Sequence, residues 1–473
     1  MTLVRYGLLF LPYVLASLLQ ESPTLSYAVA WSGSFWIFYL TLWGHVKPLP
    51  GGASLEQQLL RPIGFTQLIL MGYTAVTSIF YFLSLNGCFY VDCSALQAAS
   101  LQQRELTASA QRYYVLGHAA FATGILLPMD YRKSGEWTIR WNGDTAWLAL
   151  YASGGLLLGI QVLKFLPGLG QVQVYFSNLA LVASVLALAL ALMRSNRSWL
   201  LAIAGAIYVW NIYEALLSGW KSAVLAPTIL LFLFLYPRYK RTVATLSPVV
   251  LVVLFVILPT YASTFRALNW SGRMQDEAAA EMAFERVQEA GADEVQKNTW
   301  NFLTLRLSEV SQFSKYIRKA SEKNSYYGLS IVENGFMAIV PGAIWSGKPS
   351  LEAMAMERVY EHDIVERGQR VSAKPKFIVD AYLSGRGLGV LIGFLLFGML
   401  TTLASRMCER YFGGYLIGGV VYLGVFRVFW LSNSFEFFFN NVFWGFLIAG
   451  ALFVGGRMIG YIARRPQKRT AEV

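Results

Sequence analysis

Charge is scarce in this chain. Only 14% of its 473 residues are charged, against 56% hydrophobic, and mean hydropathy is +0.46. A soluble domain covers its surface with roughly a quarter charged residues, so a water-soluble globule of this length is excluded. Histidine and cysteine are also few, three of each. With no Cys/His cluster, the sequence gives no basis for a zinc site. The GxxxxGK[ST] phosphate loop, the GxSxG elbow and the HExxH helix are all missing, which removes three large enzyme classes. Gly385–Gly389 (GRGLG) follows no strand and opens an apolar run, so it is not a dinucleotide loop. No repeat of 20–50 residues is evident, nor an inverted repeat of interrupted helices of the kind found in many transporters.

What the chain has instead is apolar sequence in long runs, each matched to the hydrocarbon thickness of a bilayer. Twelve spans follow: Arg5–Leu19, Ala28–Gly44, Thr66–Leu85, Tyr113–Met129, Thr145–Phe165, Tyr175–Met193, Trp199–Ser218, Ser222–Tyr236, Ser247–Thr264, Gly387–Ser405, Gly413–Leu431 and Asn440–Ile462. The fourth and eighth are short. No signal-peptide cleavage pattern is seen, so the first span is expected to be retained. Every second connection is basic: Lys47 and Arg61; Arg132, Lys133 and Arg140; Arg194 and Arg197; Arg238, Lys240 and Arg241; Arg406 and Arg410; and the tail Arg464, Arg465, Lys468 and Arg469. By the positive-inside rule this alternation needs an even helix count with both termini cytoplasmic. The net charge of +12 is then largely a topology signal and no argument for nucleic acid. The expected fold is all-α and polytopic. Residues 1–264 form nine transmembrane helices, 265–386 a large far-side loop with a membrane-dipping segment, and 387–473 three more helices and a basic tail.

Cys88 and Cys93 fall in a far-side loop, where they either pair in an oxidising compartment or remain two interfacial thiols. Cys408 lies at a cytoplasmic helix end and is expected to be inert. In the large loop, Gln275–Lys297 reads as one exposed Ala/Glu-rich helix. Asn301–Lys319 reads as a second, burying Phe302, Leu305, Val310, Phe313 and Ile317 and presenting Arg306 and Glu309 elsewhere. Leu329–Trp345 is too short to cross but apolar enough to dip into the membrane, and it ends in a stiff Pro341/Trp345/Lys348/Pro349 turn.

Cations gather at the far-side membrane face: Lys221, Arg266, Arg273, Arg306, Lys348, Arg386 and Arg427, with Glu436 among them. Charge beside a bilayer is costly and is kept for pairing or function. Together these residues suit an anionic headgroup, above all a pyrophosphate. For Arg427 and Glu436 the simpler reading is mutual neutralisation. Candidate general bases on this side include Asp380, Glu309 and His362, of which Asp380 lies closest to the membrane face.

Pro341-Gly-Ala-Ile-Trp345-Ser-Gly-Lys348-Pro349 resembles the Trp–Pro turn of Wzy-type oligosaccharide repeat-unit polymerases. Asp380-Ala-Tyr382-Leu-Ser-Gly385-Arg-Gly387-Leu-Gly389 is similar to their Gly-rich helix start, Ser218-Gly219-Trp-Lys221-Ser222 to their GG-[ST]-R turn, and Leu305-Arg306 to their Arg-bearing element. The four stretches stand in the family's order across Ser218–Gly389. Gly342 replaces a usual Arg, and Lys221 keeps the charge of a common Arg without its bidentate fork.

The resemblance implies a metal-independent, GT-C-like membrane glycosyltransferase without cofactors, acting at the periplasmic face of a bacterial inner membrane. It would join undecaprenyl-pyrophosphate-linked repeat units into O-antigen, capsule or exopolysaccharide. Lys221, Arg266, Arg273, Arg306 and Lys348 would stabilise the leaving pyrophosphate, with Trp345, Tyr382 and Arg386 also contacting substrate. Asp380, Glu309 or His362 would serve as base. A flippase and a chain-length regulator are the implied partners, together with membrane lipids. A GT-C-type glycan ligase and a precursor transporter are the competing readings.

Overall fold

The computed structural model describes residues 2–50, 54–131, 135–165, 170–193, 198–341, 344–345, 347–367, 373–431 and 433–465. Arg132, Lys133, Arg194, Arg197, Gly342, Lys468 and Arg469 lie outside the described residues. The chain is helical almost throughout. In order run α1 (Thr2–Leu18), α2 (Pro23–Leu42), α3 (Pro62–Leu85, with π-helical turns), α4 (Leu101–Leu126), α5 (Thr145–Leu163), α6 (Gly170–Met193), α7 (Ser198–Leu217), α8 (Lys221–Leu235) and α9 (Lys240–Asn269). There follow α10 (Asp276–Glu289), α11 (Ala292–Phe302), α12 (Val310–Lys323), α13 (Ser330–Ile339), α14 (Leu351–Glu361), α15 (Phe377–Tyr411), α16 (Tyr415–Val425) and α17 (Phe435–Met458). One short antiparallel ladder pairs β1 (Trp137–Ile139) with β2 (Ile462–Arg464).

All twelve expected spans fall on helices of this set. Among the described residues seven helices, α3, α5, α6, α7, α9, α15 and α17, are long and apolar enough to cross a membrane. Val4–Leu18, α8 and α16 are apolar but shorter. The chain is therefore an all-α membrane protein by the length and composition of its helices.

Contacts divide the chain into two units, 1–140 with 304–473, and 141–303. In the second unit α6 packs against α5, α7 and α8, while α10 and α11 pack against α9. In the first, α4 lies against α1, α2 and α15, and α13 lies against α17. The α4–α15 contact depends on two glycines. A Cβ at Gly124 would fall 2.1 Å from the Leu395 carbonyl oxygen, and one at Gly398 would fall 2.2 Å from that of Phe121. Backbones this close leave room for no side chain, the usual way small residues tighten helix pairs in apolar surroundings.

A buried ion pair closes the first unit over a long stretch of chain. Arg61 Nε and Nη2 donate to the two carboxylate oxygens of Glu409, each at 2.8 Å, and Nη1 donates to Gln58 Oε1 at 2.9 Å. Glu409→Gln leaves the buried guanidinium without its counter-charge and is expected to cost about 3 kcal/mol. The check is the melting temperature in detergent; an unchanged value would show that the pair clamps nothing.

The large loop departs from expectation in two places. Gln275–Lys297 is two helices, because Ala290 turns extended and Gly291 caps α11. Asn301–Lys319 is also broken: α11 ends at Phe302, Leu303–Leu307 form a π-helical turn, and Glu309 in the left-handed region (φ 55°) starts α12. Cys88 and Cys93 form a disulfide between α3 and α4. Cys408 is a buried free thiol.

Candidate functional site

The expected site residues divide between the two units. Lys221, Arg266 and Arg273 belong to the second. Lys221 Nζ lies 4.0 Å over the Phe302 ring at the start of α8. Arg266 donates from Nε to the Gly219 carbonyl at 3.0 Å, and its guanidinium sits between the indoles of Trp220 and Trp270, at 5.0 and 4.7 Å. Such aromatic caging holds a cation at the end of an apolar helix. Arg273 is exposed.

The remaining candidates belong to the first unit, and most converge on the N-terminal end of α15. Asp380, in the first turn of α15, and Glu436, in the first turn of α17, are both fully buried and share one guanidinium, that of Arg358 from α14. Arg358 Nε donates to Asp380 Oδ1 at 2.9 Å and Nη2 to Oδ2 at 3.2 Å. Nη1 and Nη2 donate to Glu436 at 2.6 and 2.8 Å, and Nη1 also reaches the Met354 carbonyl. All five N–H groups are thereby used. Burial works against the charge of Arg358, but the two carboxylates outweigh it and hold its pKa above the usual arginine range. The surplus carboxylate is offset by two helix N-termini, each carrying roughly half a positive charge. One of their free N–H groups is seen at work, Phe435 N donating to Asp380 Oδ2 at 2.8 Å. Arg427 does not neutralise Glu436 as expected: it lies over the Trp430 ring, 5.4 Å from its centre, while Glu436 is bound to Arg358 across 78 residues.

His362 follows on the same helix end and is fully buried. Its Nδ1 lies 2.9 Å from the Arg358 carbonyl, which can only accept, and its Nε2 lies 3.1 Å from the Ser325 hydroxyl. Both ring nitrogens are therefore occupied.

Glu309 differs. Its Oε1 is 3.5 Å from Lys376 Nζ, just ahead of α15, and its carboxylate is about a quarter exposed. Oε2 is shielded and has no hydrogen-bond partner among the described residues. An unpaired buried acceptor normally costs about 1–3 kcal/mol, and a left-handed glutamate adds to that. The turn is held by the Tyr114 hydroxyl, which donates to the Ser308 carbonyl at 3.0 Å. Arg306 stands exposed on the π-helical turn three residues earlier.

Beyond Tyr382, α15 breaks at Gly385 and Arg386, and Arg386 adopts φ 50°, ψ −133°, a glycine conformation. The break folds the backbone onto itself, so that a Cβ at Gly389 would meet the Ala381 carbonyl oxygen at 2.0 Å. Tyr382 is buried against Tyr113, Phe313 and Tyr326, with ring centres 4.9, 5.7 and 6.1 Å away. The Arg386 guanidinium lies 4.3 Å over the Tyr326 ring. Farther along the chain, Lys348 Nζ donates to the carbonyls of Ala338 and Val340 at 2.6 and 2.7 Å, closing the C-terminus of α13. Burial lowers its pKa. Trp345, in the turn that carries Lys348, is exposed.

The head of α15 thus gathers Asp380, Glu309, Tyr382 and Arg386, and His362 backs it from α14. Sequence reasoning missed Arg358, Lys376, Tyr113 and Tyr326. One signal was available: Ala355, Arg358 and Val359 share the i, i+3, i+4 face of α14, so the arginine interrupts an otherwise apolar stripe. No curated protein and no solved structure matches the chain. A family model described as a domain of unknown function, DUF8712, matches residues 11–459, and the chain accordingly belongs to the DUF8712 family.

Proposed function

We propose that this protein joins lipid-linked oligosaccharide repeat units into a polysaccharide at the periplasmic face of a bacterial inner membrane. In this reading twelve GT-C-like spans leave both termini cytoplasmic, and α13 dips into the outer leaflet. The observation that carries the reading is Glu309. It is the one of the three candidate bases with an unpaired carboxylate oxygen, and it stands three residues from an exposed arginine. The ordered motifs between Ser218 and Gly389 support it independently.

The acceptor sugar's hydroxyl oxygen attacks the donor's anomeric carbon and forms the new glycosidic bond. The bond from that carbon to the pyrophosphate oxygen breaks, and the electron pair leaves on undecaprenyl pyrophosphate. Glu309 takes the hydroxyl proton, and Arg306 offsets the charge growing on the leaving group. Preorganised charge of that kind is often a large catalytic contribution. Asp380 acts as a positioning residue, since both its oxygens are bonded to Arg358 and to the backbone of α17.

In cells, Arg306→Ala is expected to abolish polymer while single repeat units are still displayed. Normal polymer length and amount would overturn the proposal. Polymer that accumulates on its carrier lipid without transfer would point instead to a ligase.

A further inference from the structure

Five arginines from three distant stretches of chain meet around the short β1–β2 ladder of the first unit. Glu136, just before β1, takes two of them. Arg410 Nε, at the end of α15, donates to its Oε2 at 2.6 Å, and Arg464 Nη2, on β2, donates to its Oε1 at 3.1 Å. Arg457, in the last turn of α17, lies over the ring of Trp137, 5.3 Å from its centre, and Trp137 stands opposite Arg464 in the ladder. Arg465 donates from its backbone N to the Glu136 carbonyl at 3.0 Å, and from Nη2 to the Gly413 carbonyl at 3.3 Å. Arg140 closes the ladder, its backbone N donating to the Tyr461 carbonyl at 2.7 Å. All five arginines are exposed. Among the described residues Glu136 is the one carboxylate within 4 Å of any of them.

An apolar turn borders this rim. Met458, Ile459 and Tyr461 are 81%, 70% and 53% exposed. The turn is held in place: Gly460 takes φ 80°, and Ile462 folds back on α17 so closely that a Cβ at Gly456 would fall 2.8 Å from its Cδ1. A helix of 24 residues such as α17 is about 36 Å long, against a hydrocarbon core of about 30 Å, so its ends stand among lipid headgroups. The turn therefore lies where acyl chains begin, with the arginines beside it at the depth of the phosphates. Basic loops that orient a membrane protein need only their charge, wherever it falls along the loop. Here the fold instead draws five like charges to one carboxylate, an arrangement whose repulsion an anion relieves. Guanidinium forks match the oxygens of a phosphate. A soluble phosphate leaves the apolar turn bare, whereas a phospholipid covers both.

We infer that the rim formed by Arg410, Arg457, Arg464 and Arg465, with the Met458–Tyr461 turn, binds an anionic phospholipid of the leaflet that this end of the protein faces. The phosphate lies on the guanidiniums and the upper acyl chain on Met458 and Ile459. The site shares no residue with the proposed transfer reaction and does not depend on it.

The test titrates phosphatidylglycerol into the full chain in neutral detergent and counts the lipids retained by native mass spectrometry, with the melting temperature as the check on folding. Wild type is expected to retain one phosphatidylglycerol tightly and to prefer it to phosphatidylcholine. Arg457→Gln and Arg465→Gln should each weaken that binding about fivefold, and together about twentyfold, as cations beside an anionic headgroup do. Met458→Ser with Ile459→Ser should weaken it as well, with the arginines untouched. Arg238→Gln is the control: it removes the same charge from an exposed site in the second unit and should leave binding unchanged. If the arginine variants melt lower than wild type, the serine variant carries the test, since it breaks none of their contacts. Wild type without a preference for the anionic lipid, or variants that bind it as wild type does, overturns the site. An equal loss in Arg238→Gln reduces the effect to net charge and also overturns it. Soluble glycerol 3-phosphate that competes as strongly as the lipid itself overturns the assignment to a phospholipid.

Discussion

Arg358→Met is expected to cost about 3–5 kcal/mol, a large share of the stability of most folded proteins. The substitution keeps an unbranched apolar stem, so packing along α14 changes little, while the space of the guanidinium itself is left unfilled. What it removes is the only cation among the three groups joined in the buried triad, leaving Asp380 and Glu436 fully buried and facing one another. Two helix N-termini of roughly half a charge each cannot balance two carboxylates. One carboxylate must then take up a proton, or the heads of α15 and α17 must separate. Both routes lower the melting temperature in detergent. The electrostatic origin has its own check in the triple variant Arg358→Met, Asp380→Asn, Glu436→Gln. Removing a whole buried ionic group is often neutral where breaking it is not, so the triple variant should melt well above the single one. If the single variant melts like wild type, the triad does not hold these helices together.

The second large effect concerns rate. If Glu309 is the base in the proposed reaction, Glu309→Gln should lower polymer formation by a factor of about 10²–10⁴, the usual contribution of a positioned general base. Glutamine keeps the side chain's shape, so the comparison isolates the ability to take a proton. Loss of the Lys376 contact alone would instead appear as a lower melting temperature with activity retained. Glu309→Asp should recover part of the rate, because it restores the carboxylate one methylene short of its position. A Glu309→Gln protein that polymerises at the wild-type rate would remove Glu309 from the mechanism.

How much of this was legible beforehand follows from what kind of signal each feature leaves. The seven long apolar helices could be read because length and composition alone decide whether a helix suits a bilayer. Glu309 could not be foreseen as a joint between helices. Its neighbours Phe302, Leu305, Val310 and Phe313 keep near-helical spacing straight through it, and glutamate carries no preference for the left-handed region. Nearness in sequence pairs Glu436 with Arg427, whereas a buried pair is chosen by nearness in space, here over 78 residues. Arg358 escaped because a charge on a helix is ordinarily read as facing water. Cys88 and Cys93 left the disulfide open, since a spacing of five residues permits pairing without requiring it. Sequence marks Asp380 by its place near the membrane face, and the structure puts it at the centre of the cluster with both oxygens already bonded.

The Arg61–Glu409 pair also has a consequence in time. The two residues are 348 positions apart, and the whole second unit, 141–303, is synthesised between them. At about 5–20 residues per second, Arg61 emerges roughly tens of seconds before its carboxylate exists. Through that interval a guanidinium destined for burial has to be kept in water or among lipid headgroups, so α3 cannot take its final seat until the last turns of α15 arrive. Assembly of the first unit is therefore gated by its own C-terminal third, and a chain cut short before residue 409 should be left with its earliest helices unlocked.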